Sequence, residues 1–165
     1  MGDKKPCQHF NQVALPKKDG KLEGGACVWL IKREAGQTYI LFQKRAENIE
    51  NGGFYDASAG GHIDEGEDPL TAALRETKEE IGLKLKPDEL KYVCSYTTDK
   101  KLIYVYLSDR TRKNDELKLC EDEVESVEWV SLDDLDVFTR ACVKPPLRYI
   151  MPHLPVLRFH IENYL

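Results

Sequence analysis

Apolar positions in this chain follow two periods, and the place where the period changes organises the whole sequence. Residues 26–33 (ACVWLIKR) and 38–45 (TYILFQKR) are rich in β-branched and aromatic side chains. The EAGQ between them supplies turn chemistry, so the two read as strands joined by a turn. Residues 90–98, 101–109 and 124–132 carry the same signature and predict a second pair of strands and one more. Residues 46–68 break the pattern. They are rich in glycine and acid and predict mainly loop, with a short strand near residues 55–59. A loop of that length in a compact domain is functional or disordered.

After the loop the period becomes helical. Asp68 can cap a helix, Pro69 suits its first position, and Gly82 suits the position past its end, which predicts a helix over 68–82. On a helical wheel Leu70, Leu74, Thr77 and Ile81 fall close together and predict the buried stripe. A further helix is expected after the cap residue Ser131. In the tail, Leu147, Ile150, Met151, Leu154 and Leu157 have helical spacing, but Pro152 and Pro155 predict short helical pieces. Strands and helices are mixed without strict alternation, which indicates an α/β fold with a mixed sheet and helices on its faces. Residues 1–23 are polar and lysine-rich and read as a partly disordered leader to a single domain over 24–165.

The composition narrows the function. A length of 165 residues suits one domain, and 24 basic against 29 acidic residues argue against indiscriminate binding to nucleic acid or anionic membrane. No apolar run approaches the ~20 residues of a membrane span, and the first ten residues lack an apolar signal core. Five cysteines with no CxxC pair fit a reduced, cytoplasmic chain.

The predicted helix then poses a question of charge. Glu76, Glu79 and Glu80 are neighbours at i,i+3 and i,i+4 spacing, away from Arg75 and Lys78 on the wheel. In water each like-charge pair costs only tenths of a kcal/mol. In a partly enclosed site, with dielectric ~20 and separation ~6 Å, each repulsion is on the order of 3 kcal/mol. A hard divalent cation such as Mg²⁺ or Mn²⁺ reverses that sign.

The residues around the cluster give it a context. From Gly61 the chain fits G-x5-E-x7-R-E-U-x-E-E-x-G-U, where U is bulky and apolar. Gly61, Glu67, Arg75, Glu76, Glu79, Glu80 and Gly82 fill the seven fixed places and Leu83 the last apolar one; Thr77 stands where an apolar residue is usual. Seven residues at ~7% frequency each coincide by chance about once in 10⁸ starting positions. The segment resembles the Nudix box of the Nudix hydrolases. That resemblance implies a Nudix-like α/β/α sandwich and metal-dependent hydrolysis of a nucleoside diphosphate linked to another moiety (NDP-X). It implies Glu76, Glu79 and Glu80 as ligands of Mg²⁺ or Mn²⁺, with the Gly60 carbonyl as a further ligand. The general base falls on Glu76 or Glu80, or outside the box on Glu123, which is placed by its distance from Trp129 and has Glu121 and Glu125 close by. Arg75 is expected to orient a glutamate, Glu67 to fix the loop, and Gly82 to end the helix.

The remaining expectations are weaker in their signal. Lys44 and Arg45 could meet phosphates, with a solvated strand end as the equal alternative. Phe54 and Tyr55 precede the box and are candidates for substrate contact, with packing as the default. His62 is expected at the surface, and His153 and His160 are not expected to bind metal. Tyr104 and Tyr106 read as sheet packing. The expected partner is a small diphosphate substrate, and a homodimer is compatible with the tail. Two other functions fit the box. An isopentenyl-diphosphate isomerase relies on a cysteine before its box, and residues 46–60 hold none. A non-catalytic nucleotide sensor commonly loses box glutamates, and this chain retains them.

Overall fold

The computed structural model describes residues 23–98, 101–110, 117–142 and 151–164. Most of the polar N-terminal segment, and Leu147 and Ile150 of the tail, lie outside that range.

Strand β1 (Glu23–Glu34) turns into β2 (Gln37–Arg45) through Ala35 and Gly36, whose φ angles of 51° and 79° are both left-handed. A turn with two positive φ values twists in the sense that antiparallel strands need. The hairpin is paired only from Glu34↔Gln37 to Ile31↔Ile40, after which the strands part. At the parting point the Ser58 hydroxyl accepts the Leu30 N–H at 2.8 Å and donates to the Leu41 carbonyl at 2.6 Å. One buried side chain thus satisfies both backbone groups that the divergence would orphan.

Beyond that point β1 takes new partners. Strand β4 (Ala59–His62) pairs antiparallel with Gly25–Val28 on one edge. Strand β6 (Lys101–Ser108) runs parallel along the other, and β5 (Lys91–Thr97) pairs antiparallel with β6. On the far side, β2 pairs with β7 (Val124–Ser131) and, at Gln43 and Lys44, with β3 (Tyr55–Asp56). The sheet is therefore mixed, as expected. The single short strand anticipated near residues 55–59 is in fact two strands, β3 and β4. The second, AGGH, has no β-former in it and owes its conformation to the edge of β1.

Both sheet faces are covered. Ala26, Val28, Leu30, Leu41, Ala59 and Tyr106 pack against helix α1 (Pro69–Ile81) and against Leu83 and Leu90. Trp29, Ile31, Ile40, Phe42, Val105 and Leu107 face the other way, towards Leu135 of α2 (Leu135–Cys142) and Leu154, Leu157 and Ile161 of α3 (Leu154–Tyr164). Alternate residues of β1 and β2 thus serve opposite layers, which gives the α/β/α sandwich.

Asp68 and Gly82 bound α1 as expected: the Asp68 carboxylate accepts from the Leu70 and Thr71 N–H groups, and Gly82 has φ 71°. The buried face differs from the expected one. Ala72, Ala73, Thr77, Glu80 and Ile81 are buried, whereas Leu70 and Leu74 are only partly so. The Glu80 carboxylate reaches in to the Gly60 N–H of β4, so the inner face of the helix takes in part of the acidic arc. Ser131 bonds to Asp134 and caps a turn, and α2 starts only at Leu135. In the tail, Pro155 falls in the first turn of α3, where a missing N–H costs nothing, so the helix runs eleven residues.

Candidate active site

The site forms where α1 crosses the glycines of β4. A side chain on Gly60 would come within 2.7 Å of the Ala26 carbonyl oxygen, and one on Gly61 would collide with the Glu76 carboxylate. Glycine at 60 lets β4 lie tight against β1, and glycine at 61 leaves room for the Glu76 carboxylate of the helix.

Arg75 organises the outer part of the site. Its Nε donates to Glu67 Oε1 at 3.0 Å, and its Nη2 to Glu67 Oε2 and the His62 carbonyl, both at 2.9 Å. Its Nη1 donates to Glu76 Oε1 at 2.7 Å and Glu79 Oε2 at 3.1 Å. A guanidinium has five N–H donors, and all five are engaged. Glu67 also accepts the Asp64 N–H at 3.0 Å, which ties the loop to the helix. The Arg75 hydrogen bond holds Glu67 below the usual carboxylate range, and its acidic partners push Arg75 further up.

Glu80 lies deeper, at 4% exposure. Its Oε2 accepts the Gly60 N–H at 2.8 Å and Gln43 Nε2 at 3.2 Å. Neither donor is charged. Burial, with Glu76, Asp56 and Glu123 adding negative potential, pushes Glu80 up to about 8 against the pull of the Gly60 hydrogen bond. Burial also raises Glu76, opposed by Arg75. Glu123 is exposed on the turn before β7, where its backbone bonds to Ala46 and Cys120 and its charge reaches Glu76 and Glu80. Glu79 is the most exposed of the box glutamates that Arg75 holds, its side chain 55% accessible. Among the described residues no three His, Cys, Asp or Glu side chains stand close enough to form a ready-made metal site.

Two contributors escaped the sequence reading. Gln43 and Asp56 are cross-strand partners on β2 and β3. The Asp56 carboxylate accepts the Ala57 N–H at 2.7 Å and faces Arg45 at 3.5 Å, yet burial keeps it above its ordinary range. For Gln43 a signal existed: it is the polar member of the apolar run ILFQ, two residues after Leu41 and hence on the same face.

The candidate substrate residues are placed differently from one another. Lys44 Nζ is 2.7 Å from Glu125, and Arg45 bonds to the Glu50 carbonyl and Asp56, so both already have acidic or carbonyl partners. Phe54, at 8% exposure, belongs to the core layer with Trp29 and Phe42, which is the packing role held as its default. Tyr55 is half-buried, donates to Glu128 at 2.7 Å and meets Phe138 edge-on. His62 is exposed, as expected. His153 is a buried acceptor for Trp29 Nε1 at 2.9 Å and stacks on Tyr96, which explains its place without a metal.

Comparison with known proteins agrees with this architecture. The sequence model of the NUDIX domain matches residues 21–154. The chain is 29% identical over 119 residues to an uncharacterized Nudix hydrolase of Clostridium acetobutylicum, covering 67% of this chain and 57% of that protein. It therefore spans little more than half the length of that curated relative. Among solved structures, a C. elegans Ap4A hydrolase binary complex superposes with TM-score 0.60 at 19% identity, covering 86% of this chain and 97% of the other. The NUDIX domain of Shewanella oneidensis NrtR, complexed with ADP ribose, gives TM-score 0.59 at 18% identity, with 73% and 79% coverage. At such identities these two establish a shared fold. With the domain match spanning most of the chain and the box glutamates standing where α1 meets the β4 glycines, the chain belongs to the NUDIX domain family.

Proposed function

We propose that the protein hydrolyses the diphosphate linkage of a nucleoside diphosphate derivative, NDP-X, by attack of water on phosphorus with a divalent cation as cofactor. The observation that carries this reading is Glu80: a buried carboxylate held by neutral donors only, among further carboxylates. Such an arrangement is costly unless a proton or an external cation compensates it.

The donor set fits Mg²⁺ or Mn²⁺, since every candidate ligand offers a hard oxygen. Glu76, Glu79, Glu80 and the Gly60 carbonyl would hold the ion. When bound, the cation neutralises phosphoryl oxygens and lowers the pKa of water. The chain's own residues do the positioning. Arg75 orients Glu76 and Glu79 and ties them to the loop through Glu67. The Gly60 N–H fixes one oxygen of Glu80. Glu76, Glu80 and Glu123 are the carboxylates available as general base. Two proteins of the same fold, the Ap4A hydrolase and the NrtR domain complexed with ADP ribose, support a nucleotide substrate.

The isomerase reading ranks second. Cys27 pairs across from Gly60 but packs on the opposite face, and burial holds its thiol well above the ordinary range. The test is incubation with Mg²⁺ and a panel containing ADP-ribose, diadenosine tetraphosphate, nucleoside triphosphates and isopentenyl diphosphate. Release of a nucleoside monophosphate or phosphate is expected. Isomerisation without loss of mass, or retention of one nucleotide with no turnover of any, would sink the proposal.

A further inference from the structure

One buried polar side chain at the site is left unused by the proposed hydrolysis. Gln43 is 2% exposed and projects from β2 onto the face that Leu41 lines two residues earlier. One end of its amide is accounted for, since Nε2 donates to Glu80 Oε2 at 3.2 Å. The same oxygen takes the Gly60 N–H at 2.8 Å, so two neutral donors fix the carboxylate from one side. The other end is not accounted for. Gln43 Oε1 is buried and has no hydrogen-bond partner among the described residues. With Glu80 ionised, as a bound cation would keep it, turning the amide over would set a carbonyl oxygen against a carboxylate oxygen, so that state selects the orientation with Nε2 on Glu80.

An acceptor removed from water without a donor costs free energy, and a methionine would fill the same space without that cost. The group that would satisfy it must bring a hydrogen-bond donor and must fit beside Glu80. Water has that chemistry, and hydrolysis requires one there. We infer that Gln43 is a positioning residue for the reaction: its Nε2 holds the Glu80 carboxylate and its Oε1 accepts a hydrogen from the attacking water. This rests on the diphosphate-hydrolase reading above. With one hydrogen given to Gln43 and the other to a glutamate, the water oxygen presents a lone pair to phosphorus. A bond forms from that oxygen to phosphorus and the bridging P–O bond breaks. The leaving group departs with the electron pair, and one water proton passes to the glutamate base. Gln43 neither gains nor loses a proton.

The test compares wild type with Gln43→Met and Gln43→Asn. The first removes both polar ends, and the second retains the amide but withdraws it by one methylene. Three quantities are measured: Mn²⁺ affinity by calorimetry with no nucleotide present, kcat and KM on a panel substrate, and the thermal midpoint of ion-free protein. Groups that orient a ligand typically change metal affinity or activity 10–100-fold. Both variants should therefore bind Mn²⁺ roughly tenfold more weakly and lose kcat about 10–100-fold with KM little changed. Gln43→Met should keep or raise the ion-free midpoint, because an unsatisfied acceptor has gone. A purely structural glutamine would instead lower the midpoint and leave Mn²⁺ affinity alone. Wild-type Mn²⁺ affinity and kcat in either variant overturns the inference, and if the methionine variant does not fold, the asparagine variant decides. Wild-type protein that takes up no Mn²⁺ overturns the hydrolase reading itself.

Discussion

Helix α1 and the loop that leads into it carry carboxylates under two opposite regimes. Glu67, Glu76 and Glu79 converge on Arg75, which gives them four of its five N–H groups and the fifth to the His62 carbonyl. Glu80, one turn from Glu76, receives only an amide and a backbone N–H, and is the more deeply buried. The first group has a cation of the chain's own among it, whereas Glu80 has no charged partner within hydrogen-bond reach and is left to a proton or to something that arrives.

The contrast can be broken most severely at Glu80. Glu80→Gln should lower turnover by three orders of magnitude or more while leaving the ion-free thermal midpoint equal or higher, since the costly charge is gone. Full activity in this variant would end the site assignment. Arg75→Met should move stability the other way. Losing the hub should cost about 1–3 kcal/mol at low salt by denaturant titration and reduce kcat roughly 10–100-fold. A variant as stable as wild type would show that the rim carboxylates do not need their internal partner.

The pH dependence sharpens the same comparison. Glu80 has a folded pKa raised above its unfolded value, so the folded state binds the extra proton. Its contribution is therefore favourable at low pH and turns unfavourable as pH rises from about 4.5 towards about 8. Ion-free wild type should lose stability between about pH 5 and 8 in denaturant melts and level off above that, and Glu80→Gln should not show this slope. Saturating Mn²⁺ should flatten the wild-type curve. The smallest effect is expected at the helix cap. Asp68→Ala should cost about 1 kcal/mol. The Thr71 hydroxyl, followed by backbone N–H groups, depresses Asp68, so its contribution is present above about pH 4 and fades as pH falls through the folded value, a slope opposite to that of Glu80.

The box, the helix limits and the mixed sheet were legible because each rests on residues local in sequence. Asp68, Pro69 and Gly82 act within one turn of themselves, and the fixed glutamates sit at set intervals. What was not legible depends on partners far along the chain. Strand β4 forms because β1 offers an edge to glycines that have little strand preference of their own. Gln43 and Asp56 reach Glu80 through the pairing of β2 with β3, which no spacing encodes. The buried face of α1 was legible in part: Thr77 and Ile81 are buried as expected, but Glu80 is drawn inward by the Gly60 N–H, a partner that a helical wheel does not show.

The end of α1 is stitched to the chain that follows it. The Glu80 carbonyl accepts the Cys120 N–H at 2.8 Å, the Ile81 carbonyl accepts the Lys118 N–H at 2.9 Å, and a side chain on Gly82 would strike Lys118. The residue bearing the deepest carboxylate is thereby clasped, backbone to backbone, to the turn that delivers Glu123. Those two acids share one backbone frame, so Gly82→Ala, whose methyl would press on Lys118, should change the span between them.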